Sequence, residues 1–349
     1  MGIFTLERRN REGHQAADVL ARTRALVDPA LRAAVGTLPE STRRIAEYHF
    51  GWREPDGTPS DTGSGKAIRP ALVLAAAQAV GGRPAETVRA AAAVELVHNF
   101  TLLHDDVIDR DQTRRHRLTA WRVFGTTGAI LAGDALHSLA LRTLAEDEHP
   151  ATPAAVRRLA DCVVELCEGQ QSDCAFEQRN DVSLAECLAM AEGKTGALLG
   201  CACAIGALYA GADEDAARAM DAFGREIGLA FQLIDDLIGI WGDSAVTGKP
   251  VGADLAARKK SLPVVHALSS GTSEAAVLAE LYALERPLSA DELLAAAAAV
   301  DGAGGRVWAQ TESCERMAAA IGHLSAAVPD PTAADDLLAL AELVTRRTH

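Results

Sequence analysis

Two pairs of adjacent aspartates stand where apolar, helix-periodic runs end. The first lies in Leu102-Leu103-His104-Asp105-Asp106-Val107-Ile108-Asp109. Asp105 and Asp109 are four residues apart, so on a helix both carboxylates project from one face, one turn apart. Folding has no use for that spacing, because like charges so placed repel, and the preceding run from Ala91 to Leu103 is mostly apolar. A hard divalent cation such as Mg²⁺ supplies the missing counter-charge, since it prefers carboxylate and phosphate oxygens. The plainer alternative is a solvated acidic helix end. Asp235 and Asp236, in Phe231-Gln232-Leu233-Ile234-Asp235-Asp236-Leu237-Ile238-Gly239, weaken that alternative, because they too close an apolar run, one that begins near Ala222. Two such helices facing one cavity would hold a cluster of metal ions on a polyphosphate.

Cationic residues accompany both pairs. Lys66 and Arg69 lie three apart in Gly65-Lys66-Ala67-Ile68-Arg69-Pro70, at the mouth of a helix. That place suits an anion, pyrophosphate among the candidates, or else it is a solvated basic turn. His98 precedes Asp105 by two helical turns, as a satisfied core histidine or as a diphosphate donor. Arg114 and Arg115 follow the first acidic motif and either clamp phosphate oxygens or neutralise the aspartates. Lys194-Thr195 interrupts the apolar run Leu188 to Leu208, with Gln170 and Asp173 near the end of the preceding helix. A lysine there either snorkels or reaches a charge in a cavity. The Gly-punctuated stretch Gly242 to Leu255 presents Lys249 and leads to Lys259-Lys260-Ser261-Leu262-Pro263. Such a loop is suited to closing over a metal–phosphate cluster.

The elements that must position these groups are helices. Apolar periodicity predicts them over 12–37, 71–81, from 85 through the first acidic motif, and over 126–146, 151–178, 183–211 and 213–241. Further amphipathic helices in 264–349 are broken at Gly271, Pro287, Gly302 to Gly305 and Pro329 to Pro331. Residues 51–65, rich in Gly, Pro and Asp, read as a loop. No linker divides the chain and no repeat recurs, so residues 1–349 are expected to form a single domain. Among the 349 residues alanine dominates and aromatics make up 4%, which favours helices packed closely together. The net charge of −14 and the lack of a basic face exclude nucleic acid as a partner. The seven cysteines are odd in number and form no CxxC, so the expectation is a reduced, cytoplasmic protein without disulfides or zinc. The N-terminus carries no apolar signal region, and no charge-free stretch reaches the ~20 residues a membrane span needs.

Taken together, Gly65-Lys66-x-x-Arg69-Pro70, His98, Asp105-Asp106-x-x-Asp109, Arg114-Arg115, Lys194-Thr195, Phe231-Gln232-x-x-Asp235-Asp236, Gly248-Lys249-Pro250-x-Gly252-x-Asp254 and Lys259-x-Ser261-Leu262-Pro263 resemble the trans-isoprenyl diphosphate synthases, the polyprenyl synthetase family. The likeness runs from Gly65 to the C-terminus. It implies an all-α, isoprenoid synthase-type helical bundle around a deep central cavity, and a homodimer. It implies head-to-tail condensation of isopentenyl diphosphate with an allylic diphosphate. By the same resemblance, Asp105, Asp109 and Asp235 coordinate three Mg²⁺ ions, with Asp106 and Asp236 in support and Asp106 among the ligand set. Arg114, Lys194, Lys249 and Lys259 hold the allylic diphosphate. Lys66, Arg69, His98 and Arg115 hold isopentenyl diphosphate, while Thr195 and Gln232 face the developing cation. Three places depart from the family pattern: Gly239 stands where many members have a third aspartate, His116 and Leu118 replace a Gly and a Pro, and Ala257-Arg258 replace Glu-Gly.

The resemblance also bears on product length. It lays the growing chain alongside the helix of the first acidic motif, so residues before Asp105 set the depth of the pocket. Phe100 with the smaller Thr101, and an uninterrupted motif, look like the type that makes C20 geranylgeranyl diphosphate, with C15 farnesyl diphosphate next. Two rivals are a terpene cyclase on the same fold, which needs no site for isopentenyl diphosphate, and a non-catalytic subunit of a heteromeric synthase.

Overall fold

The computed structural model describes residues 16–60, 65–242, 251–328 and 330–345, and they are almost wholly helical. Helices α1 (Ala16–Gly36), α2 (Glu40–His49), α3 (Ile68–Ala79) and α4 (Val88–Ile108) lead to a two-residue hairpin, β1 (Thr113–Arg114) and β2 (Arg117–Leu118). There follow α5 (Ala120–Phe124), α6 (Thr126–Ala145), α7 (Thr152–Phe176), α8 (Leu184–Ala191), a π turn (Glu192–Gly196), α9 (Ala197–Tyr209) and α10 (Glu214–Trp241). Six shorter or C-terminal helices complete the described chain: Ala253–Ala256, Leu262–Ser269, Ser273–Tyr282, Ala290–Gly302, Gly305–Ala327 and Asp335–Thr345. The all-α expectation holds, and the long helices fall within a few residues of their predicted bounds.

The chain forms two compact units. The first comprises Met1–Val163, Cys201–Asp221 and Leu324–Leu340. Its centre is α4, where Ala90 to Val94, Leu96, Val97 and Leu103 are all fully buried. A helix apolar all round is a core helix. Small residues let its neighbours come close. On α9, a side chain on Gly206 would stand 2.2 Å from the Val73 carbonyl of α3, so only glycine allows that approach. Helix α3 begins at Ile68, earlier than the periodicity predicts, because Pro70 sits in its first turn, where a proline costs no hydrogen bond.

The second unit comprises Val164–Gly200, Ala222–His323 and Ala341–His349. Its core gathers Phe176, Met190, Leu229, Leu233, Leu262 and Ala309. A second cluster holds Ile240, Leu255, Val264, Leu278 and Val300. Helix α8 starts on a capping box, with Ser183 accepting from Glu186 and the Glu186 carboxylate reaching back. The segment predicted as one helix over 183–211 is α8, the π turn and α9 in succession. By length and composition Leu184–Tyr209 is apolar enough to cross a membrane, but 72% of its most apolar window is buried within the protein.

Candidate active site

The first acidic face is at the C-terminal end of α4. Asp109 caps the helix, and its N–H donates to the Asp105 carbonyl at 2.8 Å, which keeps the two residues one turn apart. Asp105 is half-buried and Asp109 exposed. Asp106, one residue on, is turned roughly 100° about the axis and is only 1% exposed. Its Oδ1 accepts from Arg114 Nε at 2.7 Å. Burial pushes its pKa up to about 6 despite the arginine. Asp106 and Arg114, expected beside metal and diphosphate respectively, are here joined to each other.

The hairpin makes that pairing possible. Arg114 stands opposite Arg117, and the turn residues Arg115 and His116 both have positive φ, 52° and 62°. That is the backbone of a type I′ turn, which favours glycine or asparagine. His116 adopts it without either, where the family pattern has glycine. Tyr48 of α2 pins the strand: its hydroxyl donates to the Leu118 carbonyl at 2.8 Å and its carbonyl accepts from Arg117 Nη1 at 3.0 Å.

Arg115 is carried over Gly65. A Cβ at position 65 would lie 2.8 Å from Arg115 Nη2, and the φ of Gly65 is +101°. The positive φ favours glycine there, and a side chain would also have to displace the guanidinium. Nearby, Arg69 Nη1 donates to His98 Nε2 at 3.2 Å. His98 is thereby an acceptor at Nε2, which leaves Nδ1 to carry the proton of a neutral ring. Burial first, then the charges of Arg69 and Arg115, hold its pKa well below that of ordinary histidine. Lys66 is exposed. The structure therefore brings Arg69, His98 and Arg115 together.

Sequence reasoning gave no role to Glu95, Asn99 or His49. Glu95, one turn before His98, is 4% exposed. It accepts from Asn99 Nδ2 at 3.0 Å. Burial lifts its pKa to about 7 against the nearby charges of Arg69 and Arg115. His49 lines a small pocket with Asp106, Arg114 and Arg115. Burial and the charges of Arg115 and Arg114 bring its pKa down to about 3. His49 Nε2, Arg115 Nη1 and Asp106 Oδ2 are buried without a hydrogen-bond partner in the protein, so the interior of this pocket is polar.

The second acidic face repeats the arrangement of the first. On α10, Asp235 is exposed while Asp236 is 2% exposed. Asp236 Oδ1 accepts from Gln232 Nε2 at 2.8 Å, and Oδ2 from the Leu262 N–H at 2.9 Å. Lys259 Nζ lies 3.8 Å from Oδ1. Burial lifts the Asp236 pKa to about 6. In both motifs the second aspartate is buried and bonded within the protein, while the first is half-buried (Asp105) or exposed (Asp235).

The π turn supplies the remaining groups of this face. Thr195 Oγ1 donates to Gln232 Oε1 at 2.9 Å, and Lys194 Nζ donates to Asp173 Oδ2 at 2.5 Å. Glycines permit these contacts. A Cβ on Gly169 of α7 would stand 2.4 Å from the Lys194 nitrogen, and one on Gly228 of α10 would stand 2.6 Å from the Gly196 Cα. Thus Lys194 reaches a charge rather than snorkelling. Lys249 lies outside the described residues.

Phe100 and Thr101 are each 8% exposed. The Phe100 ring packs 5.0 Å from His104 and 5.3 Å from His137 of α6. Five residues amount to roughly 140° about a helix axis, so Phe100 is turned well away from Asp105, while Thr101 is turned only about 40°. The Thr101 hydroxyl donates to the His98 carbonyl at 2.8 Å.

Among the described residues no three His, Cys, Asp or Glu side chains gather into a ready-made metal cage. Mg²⁺ does not require one, since it commonly takes one or two protein carboxylates and completes its shell with water and substrate phosphates. The carboxylates of Asp105, Asp109 and Asp235 are hard donors of that kind.

Comparison with known proteins adds the following. The polyprenyl synthetase family pattern matches residues 60–300. The geranylgeranyl diphosphate synthase of Mycobacterium tuberculosis is 50% identical over 331 residues, covering 94% of this chain and 93% of that protein. The (2E,6E)-farnesyl diphosphate synthase of Mycobacterium bovis is 46% identical over 321 residues, covering 91% and 89%. The crystal structure of a polyprenyl synthetase from Streptomyces coelicolor A3(2) superposes with a TM-score of 0.90 at 45% identity, covering 95% of this chain and 99% of that one.

Proposed function

The chain belongs to the polyprenyl synthetase family, and on that footing we propose how its two acidic faces and its buried arginine–histidine group divide the work of a prenyltransferase. The enzyme condenses isopentenyl diphosphate with an allylic diphosphate. We assign the allylic diphosphate to the aspartate-bearing faces, with Lys194, Lys249 and Lys259 as cations and Arg114 set behind Asp106. We assign isopentenyl diphosphate to Lys66, Arg69, His98 and Arg115. One observation carries the first assignment: in each motif the second aspartate is buried and bonded within the protein, while the first is the more accessible of the two.

Asp105, Asp109 and Asp235 would hold Mg²⁺, for which three ions are proposed. When bound, Mg²⁺ neutralises the charge that builds on the departing pyrophosphate. The protein does the rest. Lysine ammonium groups hold the leaving oxygens as the C1–O bond breaks. The Thr195 hydroxyl oxygen faces the allylic cation with the orientation that Gln232 imposes on it. The neutral His98 ring donates from Nδ1 to isopentenyl diphosphate while Arg69 fixes its other nitrogen. The isopentenyl double bond attacks C1, and its lost proton passes to the pyrophosphate. An apolar cavity of the kind the family resemblance implies would keep water from the cation.

The product we propose is geranylgeranyl diphosphate, with farnesyl diphosphate as the alternative. Relatives bearing both names match this chain nearly equally. We also propose a homodimer in the cytoplasm. Support comes from two large apolar side chains that α6 leaves to solvent, Ile130 at 38% and Leu131 at 59% exposure, and from seven free cysteines.

The test is incubation with isopentenyl diphosphate plus dimethylallyl, geranyl or farnesyl diphosphate. Elongation supports the synthase. Hydrocarbon from one diphosphate alone indicates a cyclase, and no turnover indicates a non-catalytic subunit.

A further inference from the structure

Position 239 on α10 is one turn beyond Asp235, at i+4, and three residues beyond Asp236, at i+3. It carries no side chain. The atoms nearest to where one would begin all belong to a single carboxylate. A Cβ on Gly239 would stand 2.3 Å from Asp254 Oδ2 and 2.5 Å from its Cγ. Asp254 comes from the short helix Ala253–Ala256, whose N-cap Gly252 is left-handed at φ 74°. The backbone of Lys259 is tied to the same residue, its N–H donating to the Asp254 carbonyl at 2.9 Å. Lys259 Nζ lies 3.8 Å from Asp236. Asp254 thus lays a carboxylate on α10 in the place of a native side chain and anchors the turn that delivers the lysine.

We propose that Asp254 is a positioning residue for Lys259, and that position 239 is bare so that the Asp254 carboxylate can seat against α10 and, with Asp236, fix the lysine over the face that bears Asp235. The ammonium is then held over that face before substrate arrives. Burial alone would depress the Lys259 pKa, yet the carboxylates of Asp236, Asp254, Asp173 and Asp235 keep it above that of an ordinary lysine. This inference rests on the assignment of that face to the allylic diphosphate.

Four variants test it: Asp254→Ala, Gly239→Ala, the two combined, and Asp254→Ala with Gly239→Asp. Each is measured for KM of the allylic diphosphate and of isopentenyl diphosphate, and for binding of a non-ionising allylic thiodiphosphate by calorimetry. Thermal melts confirm folding. Gly239→Ala is expected to weaken allylic binding about ten-fold, the scale of one misplaced charged hydrogen bond, with the KM for isopentenyl diphosphate unchanged. Asp254→Ala should do the same. The combination should be no worse than Asp254→Ala, because the added methyl then enters space already vacated. Gly239→Asp should restore binding to Asp254→Ala, since its carboxylate springs from the helix toward the same point. Additive losses, a neutral Gly239→Ala, or a loss shared equally by both substrates would overturn the proposal. If Gly239→Ala does not fold, Asp254→Asn and the rescue variant decide alone. Wild-type enzyme that fails to bind the thiodiphosphate would instead refute the underlying assignment of the face.

Discussion

The guanidinium of Arg115 lies against the α-carbon of Gly65, so closely that a methyl there would stand 2.8 Å from Nη2. The two residues are fifty apart in sequence. Gly65→Ala must therefore displace the arginine as well as strain a backbone at positive φ. The variant is expected to lose about 1 to 2 kcal/mol of stability and to raise the KM for isopentenyl diphosphate while sparing that for the allylic partner. Steady-state kinetics with each substrate varied in turn, alongside urea melts, check both halves. Lys66→Ala should show the same kinetic asymmetry without the loss of stability.

Adjacent aspartates should respond differently. Asp105→Ala and Asp235→Ala remove the carboxylates proposed to hold Mg²⁺, so kcat should fall by about three orders of magnitude or more, with a smaller loss of stability than at their buried neighbours. Chelation of divalent ions should abolish turnover in the wild type in the same way, with recovery on adding Mg²⁺. Asp106→Ala strips a buried partner from Arg114, and stability should drop by about 2 to 3 kcal/mol. Near-wild-type turnover in Asp105→Ala would remove the metal assignment.

Glu95 gives stability a pH signature. Its folded pKa, about 7, exceeds the ordinary value of 4.5. A carboxyl group raised in this direction is accommodated best when protonated. Its contribution is fully present below about pH 4.5 and is lost as the pH rises through about 7. Glu95→Gln, a neutral mimic, should therefore gain on the wild type with rising pH, by about 3 kcal/mol between pH 4.5 and 8. Denaturant melts of both proteins across that range measure the difference. A constant difference would mean that Glu95 does not titrate there.

Truncating Phe100 tests the product-length proposal. Phe100→Ala should open a cavity beside His104 and His137, at a cost of about 3 to 4 kcal/mol, and lengthen the products from C20 toward C25. Chromatography of the dephosphorylated products reads this directly. Because Thr101 is turned nearer to the Asp105 face, Thr101→Phe should shorten them toward C15. Unchanged lengths in both variants would place the floor of the pocket elsewhere.

Much of this architecture is legible in the sequence, because a buried helix writes its period in apolar residues. Helix α4 and the acidic motif at its end are plain from Ala90 to Asp109. Helix α2 escapes that reading because ESTRRIAEYH is mostly polar and buries only Ala46 and Tyr48. The hairpin escapes because Arg115 and His116 occupy turn positions that usually announce themselves with glycine. The more accessible aspartates are readable from their spacing. The buried ones are not, since Asp236 meets Leu262 twenty-six residues away, and no local pattern encodes a contact made by folding.

The π turn has a consequence for the ancestry of the chain. Its closing bond runs from the Ala197 N–H to the Glu192 carbonyl, five residues back where an α-helix would reach four. A π turn is thus the imprint of one extra residue in a helix. Everything after it is out of phase with everything before it by roughly 100°. A deletion of any single residue between Glu192 and Gly196 would heal the helix and rotate the Lys194 region off Asp173 and Gln232. Lineages of this enzyme should accumulate substitutions in that stretch far more readily than changes of length, and a relative lacking the extra residue would have to find its lysine elsewhere.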